Sequence, residues 1–324
     1  MTPVKLMIPL DEREGKIPLA TRPNPQKQAP PGGTSHFSTE LFSRFFDLSA
    51  SDSAQIHPKL MSPHITYVGG PTMLLDFGGI RILTDPTFDP AGGEYVSGPV
   101  TLHKLSPPAL QPDQLPSFDY VLLSHDHHSD NLDHAGHQSL QRAELVFTTP
   151  EGAQRLGGNA IGMDAWDSRD LRIADRTLRI FATPARHGPA GLERGAVTGF
   201  VIFFTDSPDQ GLYISGDTVW YEGIAEIARR FRIQTAVLHL GAARVPEVGE
   251  FHLTMTAEEA VQAAKAFSDA IIVPTHFEGW AHFSEGKEDI VRAFRAAGME
   301  QRLCWPKAGE AVEVRPSQDL SVSG

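Results

Sequence analysis

Short apolar runs that end at glycine, proline or polar residues recur along the chain from about residue 64 onward. Residues 65–68, 72–77 and 81–83 form three such runs, separated by glycine pairs at 69–70 and 78–79. Runs of this length, rich in β-branched and aromatic residues and bounded by glycine pairs, are typical of strands joined by tight turns. The pattern therefore predicts a strand-rich start to the folded part of the chain.

Strand and helix patterns alternate through the second half. Further apolar runs predict strands at residues 120–123, 144–148, 178–183, 199–205, 212–214, 235–240, 270–274, 301–304 and 311–314. Helical spacing of apolar positions and helix-start signals predict helices at residues 132–142, 150–157, 221–232, 256–267 and 290–297. This order predicts sheets covered by helices, with polar loops at one sheet edge.

The two ends of the chain lack the alternating strand and helix patterns of its central part. Seven prolines fall within residues 1–35, a composition that excludes long helices and central strands and predicts an arm. Residues 38–48 place apolar side chains on one helical face, which favours a helix docked on the core; a lid, a dimer contact or a lipid-facing helix are the alternatives. We therefore divide the chain into an arm with this helix (1–60), a folded domain (61–315) and a tail (316–324). Within the domain, residues 87–118 are expected to form a long surface loop.

Composition narrows the class of protein. The chain has 324 residues and a net charge of −12, which argues against nucleic-acid binding because that function requires a basic surface. Its single cysteine, Cys304, excludes an intrachain disulfide framework and fits a reducing compartment. No apolar stretch approaches the roughly 20 residues of a membrane helix, and no signal peptide is recognisable. These features predict a cytoplasmic enzyme with a small-molecule substrate.

Candidate metal ligands follow four of the predicted strands. His125 and His127 come after the run at 120–123, where five of the fourteen histidines lie between positions 125 and 137. His187, Asp217 and His276 each follow another apolar run. Imidazole and carboxylate groups are the ligands that zinc, iron and manganese select. Any one of these residues alone has a structural explanation, but together they predict a metal site at a sheet edge.

These segments resemble the metallo-β-lactamase fold superfamily, and within it the branch that contains L-ascorbate 6-phosphate lactonase and N-acylphosphatidylethanolamine phospholipase D. The matching pieces, in order from about residue 64 to 314, are GGPTMLLDFGGIRILTDP, SHDHHSDNLD, ATPARHG, YISGDT, HLTMTAEEAV and VPTHFEGW. The resemblance implies a four-layer αββα sandwich with a metal site at its edge. It is specific for the fold and not for the substrate.

The resemblance also implies a set of ligands. By position in the family's motifs, the first metal would be bound by His125, His127 and His187, the bridging ligand would be Asp217, and the second metal would be bound by Asp130 and His276. The chain departs from the family in one loop. Two residues, His128 and Ser129, follow His127 where the family has one, and Asn131 stands where a histidine is expected. The second site is therefore expected to be weak or empty, to recruit His128 or His134, or to favour Mn²⁺ over Zn²⁺.

Further residues are candidates for catalysis and substrate binding. A metal-bound water supplies hydroxide at neutral pH, and Asp130 or His252 is the candidate to orient that water or to pass a proton to the leaving group. His252 has a structural alternative as a helix-start residue. Trp280 and His282 follow His276 and are candidates to line a substrate pocket, while Arg244 is a candidate to hold an anionic group.

We interpret the chain as a metal-dependent hydrolase of a small ester or lactone, using one or two Zn²⁺ ions, with Mn²⁺ as an alternative. Two other interpretations stay open: a phosphodiesterase of the phospholipase D type, and a metal-binding regulatory protein that has lost turnover because of the altered loop. An oxygen-handling iron protein is a further alternative, although the chain has no room for the flavin domain that such proteins usually carry. A homo-oligomer is possible from the aromatic helix at 38–48.

Overall fold

The computed structural model describes residues 62–315. The predicted arm at 1–60, its aromatic helix at 38–48 and the tail at 316–324 lie outside the described residues.

Strands dominate the described part of the chain. They are β1 (His64–Gly69), β2 (Thr72–Phe77), β3 (Ile80–Thr84), β4 (Glu94–Ser97), β5 (Val100–His103), β6 (Tyr120–Leu122), β7 (Leu145–Thr148), β8 (Ala160–Gly162), β9 (Ser168–Ile173), β10 (Arg176–Pro184), β11 (Thr198–Phe204), β12 (Gly211–Ile214), β13 (Ile233–His239), β14 (Ile271–Thr275) and β15 (Ala311–Glu313). The helices are α1 (His134–Ser139), α2 (Pro150–Leu156), α3 (Glu222–Arg230), α4 (Ala257–Ala266) and α5 (Lys287–Ala296).

The strands form two large mixed sheets and one hairpin. One sheet has the order β15-β1-β2-β3-β6-β7-β8 and the other β14-β13-β12-β11-β10-β9, while β4 and β5 pair only with each other. In the first sheet β3, β6, β7 and β8 are parallel. In the second sheet β12, β13 and β14 are parallel. Parallel neighbours end at the same sheet edge, so the loops after these strands meet there.

Alternation along the strands assigns side chains to successive layers. In β11, Phe200, Ile202 and Phe204 face a core shared with the other sheet, which contributes side chains such as Met73 and Leu75. The intervening side chains of β11, Val201 and Phe203, belong to a separate core with α3, α4 and α5. Because strand side chains alternate between faces, a strand with apolar residues on both faces is covered on both sides.

The outer face of the first sheet has its own covering layer. Leu74, Leu83 and Val121 pack there against Leu132 and Leu140, which belong to the segment around α1. The described chain is therefore built as four layers, with helical segments outside two sheets. This agrees with the αββα architecture that the sequence predicts.

Capping residues explain where the helices begin. The Asp133 side chain accepts a hydrogen bond from the Gly136 amide at the start of α1, and Thr149 accepts one from Gly152 at the start of α2, where Pro150 is the first residue. Thr256 and Glu259 form a reciprocal capping box at the start of α4. Such caps satisfy amides that the helix itself leaves unpaired.

Two predictions about elements were wrong. The loop predicted at 87–118 contains the hairpin β4–β5, whose polar strands expose most of their side chains and so give no apolar run. The strand predicted at 301–304 is instead a turn of 3₁₀ helix, Glu300–Arg302, followed by a single bridge between Leu303 and Ile272. The polar edge strand β9 was not predicted, because it too lacks apolar alternation. Among residues 62–315, no helix has the length and hydropathy to cross a bilayer.

Candidate metal centre and adjoining cavity

Three imidazoles from two loops converge on one point. His125 and His128 follow β6, and His187 follows β10. The His128 Nδ1 atom lies 2.9 Å from His125 Nε2 and 3.2 Å from His187 Nε2. Four-coordinate zinc with nitrogen ligands holds those nitrogens about 3.3 Å apart, so this spacing fits a metal ion.

The partners of these imidazoles fix which nitrogen carries the proton. His187 Nδ1 donates to the carbonyl oxygen of Leu253 at 2.9 Å. His125 Nδ1 lies 2.9 Å from the Ser124 hydroxyl, which donates its own proton to Asp85, so the hydroxyl oxygen accepts from the imidazole. Both Nε2 atoms therefore present lone pairs to His128 Nδ1, which has at most one proton to donate. At least one lone pair stays without a donor, as in a site built for a cation.

Burial keeps these imidazoles neutral, which is the protonation state that binds metal. Burial and the neighbouring imidazole of His128 hold the pKa of His125 well below its usual value. Burial, together with His187, lowers the pKa of His128 to about 3. Burial also lowers the pKa of His187, against the opposing effect of Asp217.

The grouping differs from the predicted one at His127. Its Nε2 atom lies 2.8 Å from the carbonyl oxygen of Arg194, and His128 takes the predicted place beside His125 and His187. The extra residue in the loop is the physical reason, because it advances the chain by one position before Asp130. His128 could have been identified by counting back from Asp130 instead of forward from His125.

A second group lies where β12, β13 and β14 end. It consists of Asp217, His239 and His276, all buried. Asp217 Oδ1 lies 2.9 Å from Nδ1 of both histidines, and Asp217 Oδ2 lies 3.9 Å from His187 Nε2. The bridging position predicted for Asp217 thus lies between the two groups. His239 was missed as a site residue, although its place at the end of an apolar run carried the same signal as His276.

Asp130, predicted as a ligand and catalytic residue, also lies in this region. Its Oδ2 atom is 3.4 Å from His276 Nε2 and 3.1 Å from His282 Nε2. Burial alone would raise the pKa of Asp130, but these two histidines hold it well below the usual value. Burial lowers the pKa of His276 and the carboxylates of Asp217 and Asp130 oppose this, raising it to about 10.

Of the four remaining predicted site residues, the structure places one at the cavity described below and three away from it. His282 lines the cavity described below, whereas Trp280 is buried against Tyr95 and Lys104 outside it. The Arg244 side chain is exposed and does not line the cavity. His252 does not line it either, because its Nε2 atom lies 3.1 Å from both carboxylate oxygens of Glu259.

An apolar-walled cavity opens beside the first group of imidazoles. It encloses about 580 Å³, a volume that includes space open to solvent. Its walls contain the apolar residues Val100, Leu102, Ala243, Val245, Val248 and Leu253, with His127, His128, Asp130, His187 and His282 at the polar end. Arg194 is the only lysine or arginine among the described residues that line it. The hairpin β4–β5, missed in the sequence, supplies one wall.

Comparison with known proteins gives a consistent assignment. A family model described as the beta-lactamase superfamily domain matches residues 80–277. A UPF0173 metal-dependent hydrolase of Caldivirga maquilingensis is 25% identical over 256 residues, covering 78% of this chain and 98% of that protein. An uncharacterized protein of Mycobacterium tuberculosis is 29% identical over 266 residues, covering 77% of this chain and 68% of that protein.

Solved structures agree on the architecture. The crystal structure of an isothiocyanate hydrolase from Delia radicum gut bacteria superimposes with a TM-score of 0.65 at 23% identity, covering 77% of this chain and 98% of that one. At this identity the likeness shows the fold alone.

Proposed function

The chain belongs to the beta-lactamase superfamily and is a metal-dependent hydrolase, and we propose that its substrate is a small, largely apolar carboxylic ester or lactone. The predicted metallo-β-lactamase fold is confirmed by the family match and by the solved structures. The closer resemblance to the ascorbate lactonase and phospholipase D branch stays a prediction.

One observation carries this proposal: the imidazoles of His125, His128 and His187 meet at the polar end of an apolar-walled cavity. We propose that they bind the metal ion, with zinc as the first candidate because all three ligand atoms are nitrogens. When bound, a divalent ion supplies a water of lowered pKa and polarises the carbonyl oxygen under attack. The cavity walls hold the ester's apolar part beside that point and exclude bulk water.

The cavity-lining acid and imidazole have proton-handling roles in this proposal. Asp130 is ionised and accepts from the His282 Nε2–H, which leaves its other oxygen free to orient the attacking water. His282 lines the cavity and its Nδ1 atom is buried without a hydrogen-bond partner. With its proton on Nε2, the imidazole can accept a proton at Nδ1 from the attacking water and then return that proton to the leaving alkoxide, while the Asp130 carboxylate stabilises the imidazolium formed in between.

The wall composition supports an ester or lactone over a phosphodiester. A phosphodiester keeps its negative charge throughout the reaction and is usually held by arginine or lysine. Among the described residues that line the cavity, Arg194 is the only arginine or lysine. A neutral ester needs no such charge, and six apolar side chains cover the space beside the imidazoles.

A substrate screen tests the proposal directly. Metal-loaded full-length protein should hydrolyse p-nitrophenyl butyrate and an alkyl lactone, and should act more slowly on bis-p-nitrophenyl phosphate. Faster hydrolysis of the phosphodiester would favour the phosphodiesterase alternative. Bound metal without turnover of any of the three would favour a binding protein that has lost catalysis.

The choice of ligand histidine provides a matched pair of variants. His128→Gln should lose metal and lower kcat/KM by more than about 100-fold, because a neutral amide replaces a ligand nitrogen. His127→Gln should retain its metal, because the structure places His127 against a carbonyl oxygen outside the three-imidazole group. Metal content by elemental analysis distinguishes the two, and the reverse result would restore the assignment made from the sequence.

The apolar wall makes a separate prediction about selectivity. Val245→Ala removes two methyl groups from the cavity wall and should raise KM for butyrate or longer esters by up to about 10-fold, with little effect on the acetate. Equal effects on acetate and butyrate would show that Val245 does not contact the acyl chain.

A further inference from the structure

Three adjacent parallel strands deliver one ligand-type residue each to the same sheet edge. Asp217 follows β12, His239 ends β13 and His276 follows β14. His239 pairs in register with Thr275, the residue before His276, so the two imidazoles leave neighbouring strands side by side. The position of His239 is further fixed by its amide, which donates to the Ser215 hydroxyl at 2.9 Å. His239 therefore lies within the sheet, while Asp217 and His276 lie in the loops that directly follow their strands.

Polar atoms in this region lack the partners that burial requires. Nε2 of His239, Nε2 of His276 and Oδ1 of Asn131 are all buried without a hydrogen bond. His239 Nε2 lies 3.6 Å from Asp85 Oδ2, and His276 Nε2 lies 3.4 Å from Asp130 Oδ2. An unpaired buried polar atom is costly, and three within one region indicate a missing partner.

Three carboxyl groups are buried in the same region. Asp85, Asp130 and Asp217 are each at most 6% exposed. Within residues 62–315, their hydrogen bonds and ion pairs come from serine, asparagine, histidine and backbone groups, with none from lysine or arginine. Buried charged groups are ordinarily paired with one another or coordinate a metal ion.

From these observations we infer that Asp217, His239 and His276 bind a second divalent cation, with His239 supplying the imidazole that the loop lacks at Asn131. The Nδ1 atoms of both histidines already face Asp217 Oδ1, each at 2.9 Å. If these nitrogens bind the ion, the ring protons move to Nε2, which faces Asp85 in one case and Asp130 in the other. A histidine ligand usually donates its other N–H to a carboxylate, so the ion would resolve both unpaired nitrogens.

Asn131 is correspondingly an orienting residue in this arrangement. Its Nδ2 atom lies 3.3 Å from Asp217 Oδ1 and 3.4 Å from the Ser124 hydroxyl. The amide therefore holds the carboxylate shared by both histidines. In this arrangement the second site is retained, and His239 at the end of β13 supplies the ligand nitrogen that the altered loop lacks.

Metal counting on full-length protein tests the inference without substrate. Protein loaded with Zn²⁺ or Mn²⁺ and freed of excess ion should contain about two ions per chain, and His239→Gln should contain about one. His282→Gln is the matched control, because His282 also contacts a buried carboxylate in the same region yet should keep both ions. Loss of an ion from His282→Gln with two retained in His239→Gln would overturn the assignment. About one ion in the wild-type chain after loading would overturn it as well.

Crystals of the wild-type chain grown with Zn²⁺ provide a second measurement that needs no variant to fold. An anomalous difference peak among Asp217, His239 and His276 is expected beside the peak at the three-imidazole group. A second peak among Asp130, His276 and His282, or no second peak, would contradict the proposed ligands. The second cation has a catalytic role only if the proposed hydrolase function holds. The absence of a second peak would not contradict hydrolysis of the ester, and failure of the ester screen would not contradict the metal count.

Discussion

At the level of single residues, the candidate metal centre depends on backbone conformation as well as on the identity of the proposed ligands. Asp85 and His276 both adopt positive φ, at 33° and 53°, a conformation that costs a residue other than glycine about 1–3 kcal/mol. Asp85 is held by hydrogen bonds from the Ser124 amide and hydroxyl, and the His276 amide donates to Gly70 at 2.9 Å. Burial raises the pKa of the Asp85 carboxyl to about 8. Strain of this kind persists where the surrounding structure fixes a functional side chain.

Gly216 is another position where the candidate metal centre depends on backbone conformation, and a substitution there tests this dependence. Its φ is 59°, and an added Cβ would lie 2.6 Å from the Thr198 carbonyl oxygen and 2.8 Å from Ser124 Cβ. Gly216→Ala should therefore destabilise the chain by about 2–4 kcal/mol and displace the adjacent Asp217, lowering metal content. Chemical unfolding and elemental analysis measure the two effects. Gly298→Ala, at a similar φ of 69° but with no atom within 4 Å, is the control that isolates the clash from the backbone strain.

The His252–Glu259 pair gives a pH-dependent contribution to stability. The carboxylate of Glu259 raises the pKa of His252 above its usual 6.5, and the pair is partly exposed, so its contribution is about 0.5–1 kcal/mol. A raised folded-state pKa means that this stability is complete below pH 6.5 and is lost as the pH rises through the folded-state pKa.

Glu259→Gln should remove that contribution while the amide oxygen keeps the capping hydrogen bond to the Thr256 amide. The difference in unfolding free energy between wild type and variant is expected to be larger at pH 6 than at pH 9. An equal difference at both values would mean that His252 is neutral in the folded chain.

At the level of elements, a buried ion pair is one of the contacts that attach the hairpin β4–β5 to the rest of the domain. Lys104, directly after β5, places its Nζ atom 2.7 Å from Asp133 Oδ2, and its side chain is 4% exposed. Asp133 also caps α1 and accepts from the amides of Phe88 and Asp89. A single carboxylate therefore joins the hairpin, the preceding loop and the helix that follows the metal-binding loop.

Lys104→Ala should destabilise the chain by about 3 kcal/mol, because it leaves the buried Asp133 carboxylate without its cation. It should also raise KM, since β4 and β5 form a wall of the cavity. Urea unfolding and steady-state kinetics measure these effects. Lys307→Ala is the matched control: its pair with Glu310 is solvent-exposed, so both quantities should change little.

At the level of the whole described domain, we expect metal binding to be linked to stability. The proposed ligand groups come from both sheets and meet at one edge, so an ion bound there would connect the two halves of the sandwich. Removal of metal by a chelator should lower the melting temperature and abolish hydrolysis, and readdition should restore both. At a free metal concentration 100 times Kd, a site stabilises by about 2.7 kcal/mol. An unchanged melting temperature after complete removal of metal would contradict this linkage.

The sequence by itself determined the elements with strong patterns and the sheet edge at which the candidate ligands meet. The run Thr72–Phe77 was predicted with the bounds that the structure has, and β11 and β14 were placed within one residue at each end. These strands are apolar on successive positions because both faces are covered, so the signal is local. The convergence of His125, His187, Asp217 and His276 was also predicted, because each follows a strand and parallel strands end at one edge.

Only the tertiary structure decided which neighbouring residues share a site. His127 and His128 are indistinguishable by residue type, and the choice between them depends on how a loop with one extra residue turns toward β10. His239 gains its place through pairing between β13 and β14, a contact between residues far apart in the chain. The hairpin β4–β5 was not predicted for a related reason: its strands are only four residues long, and their buried side chains pack at the cavity instead of in the main core, so the sequence carries no long apolar run.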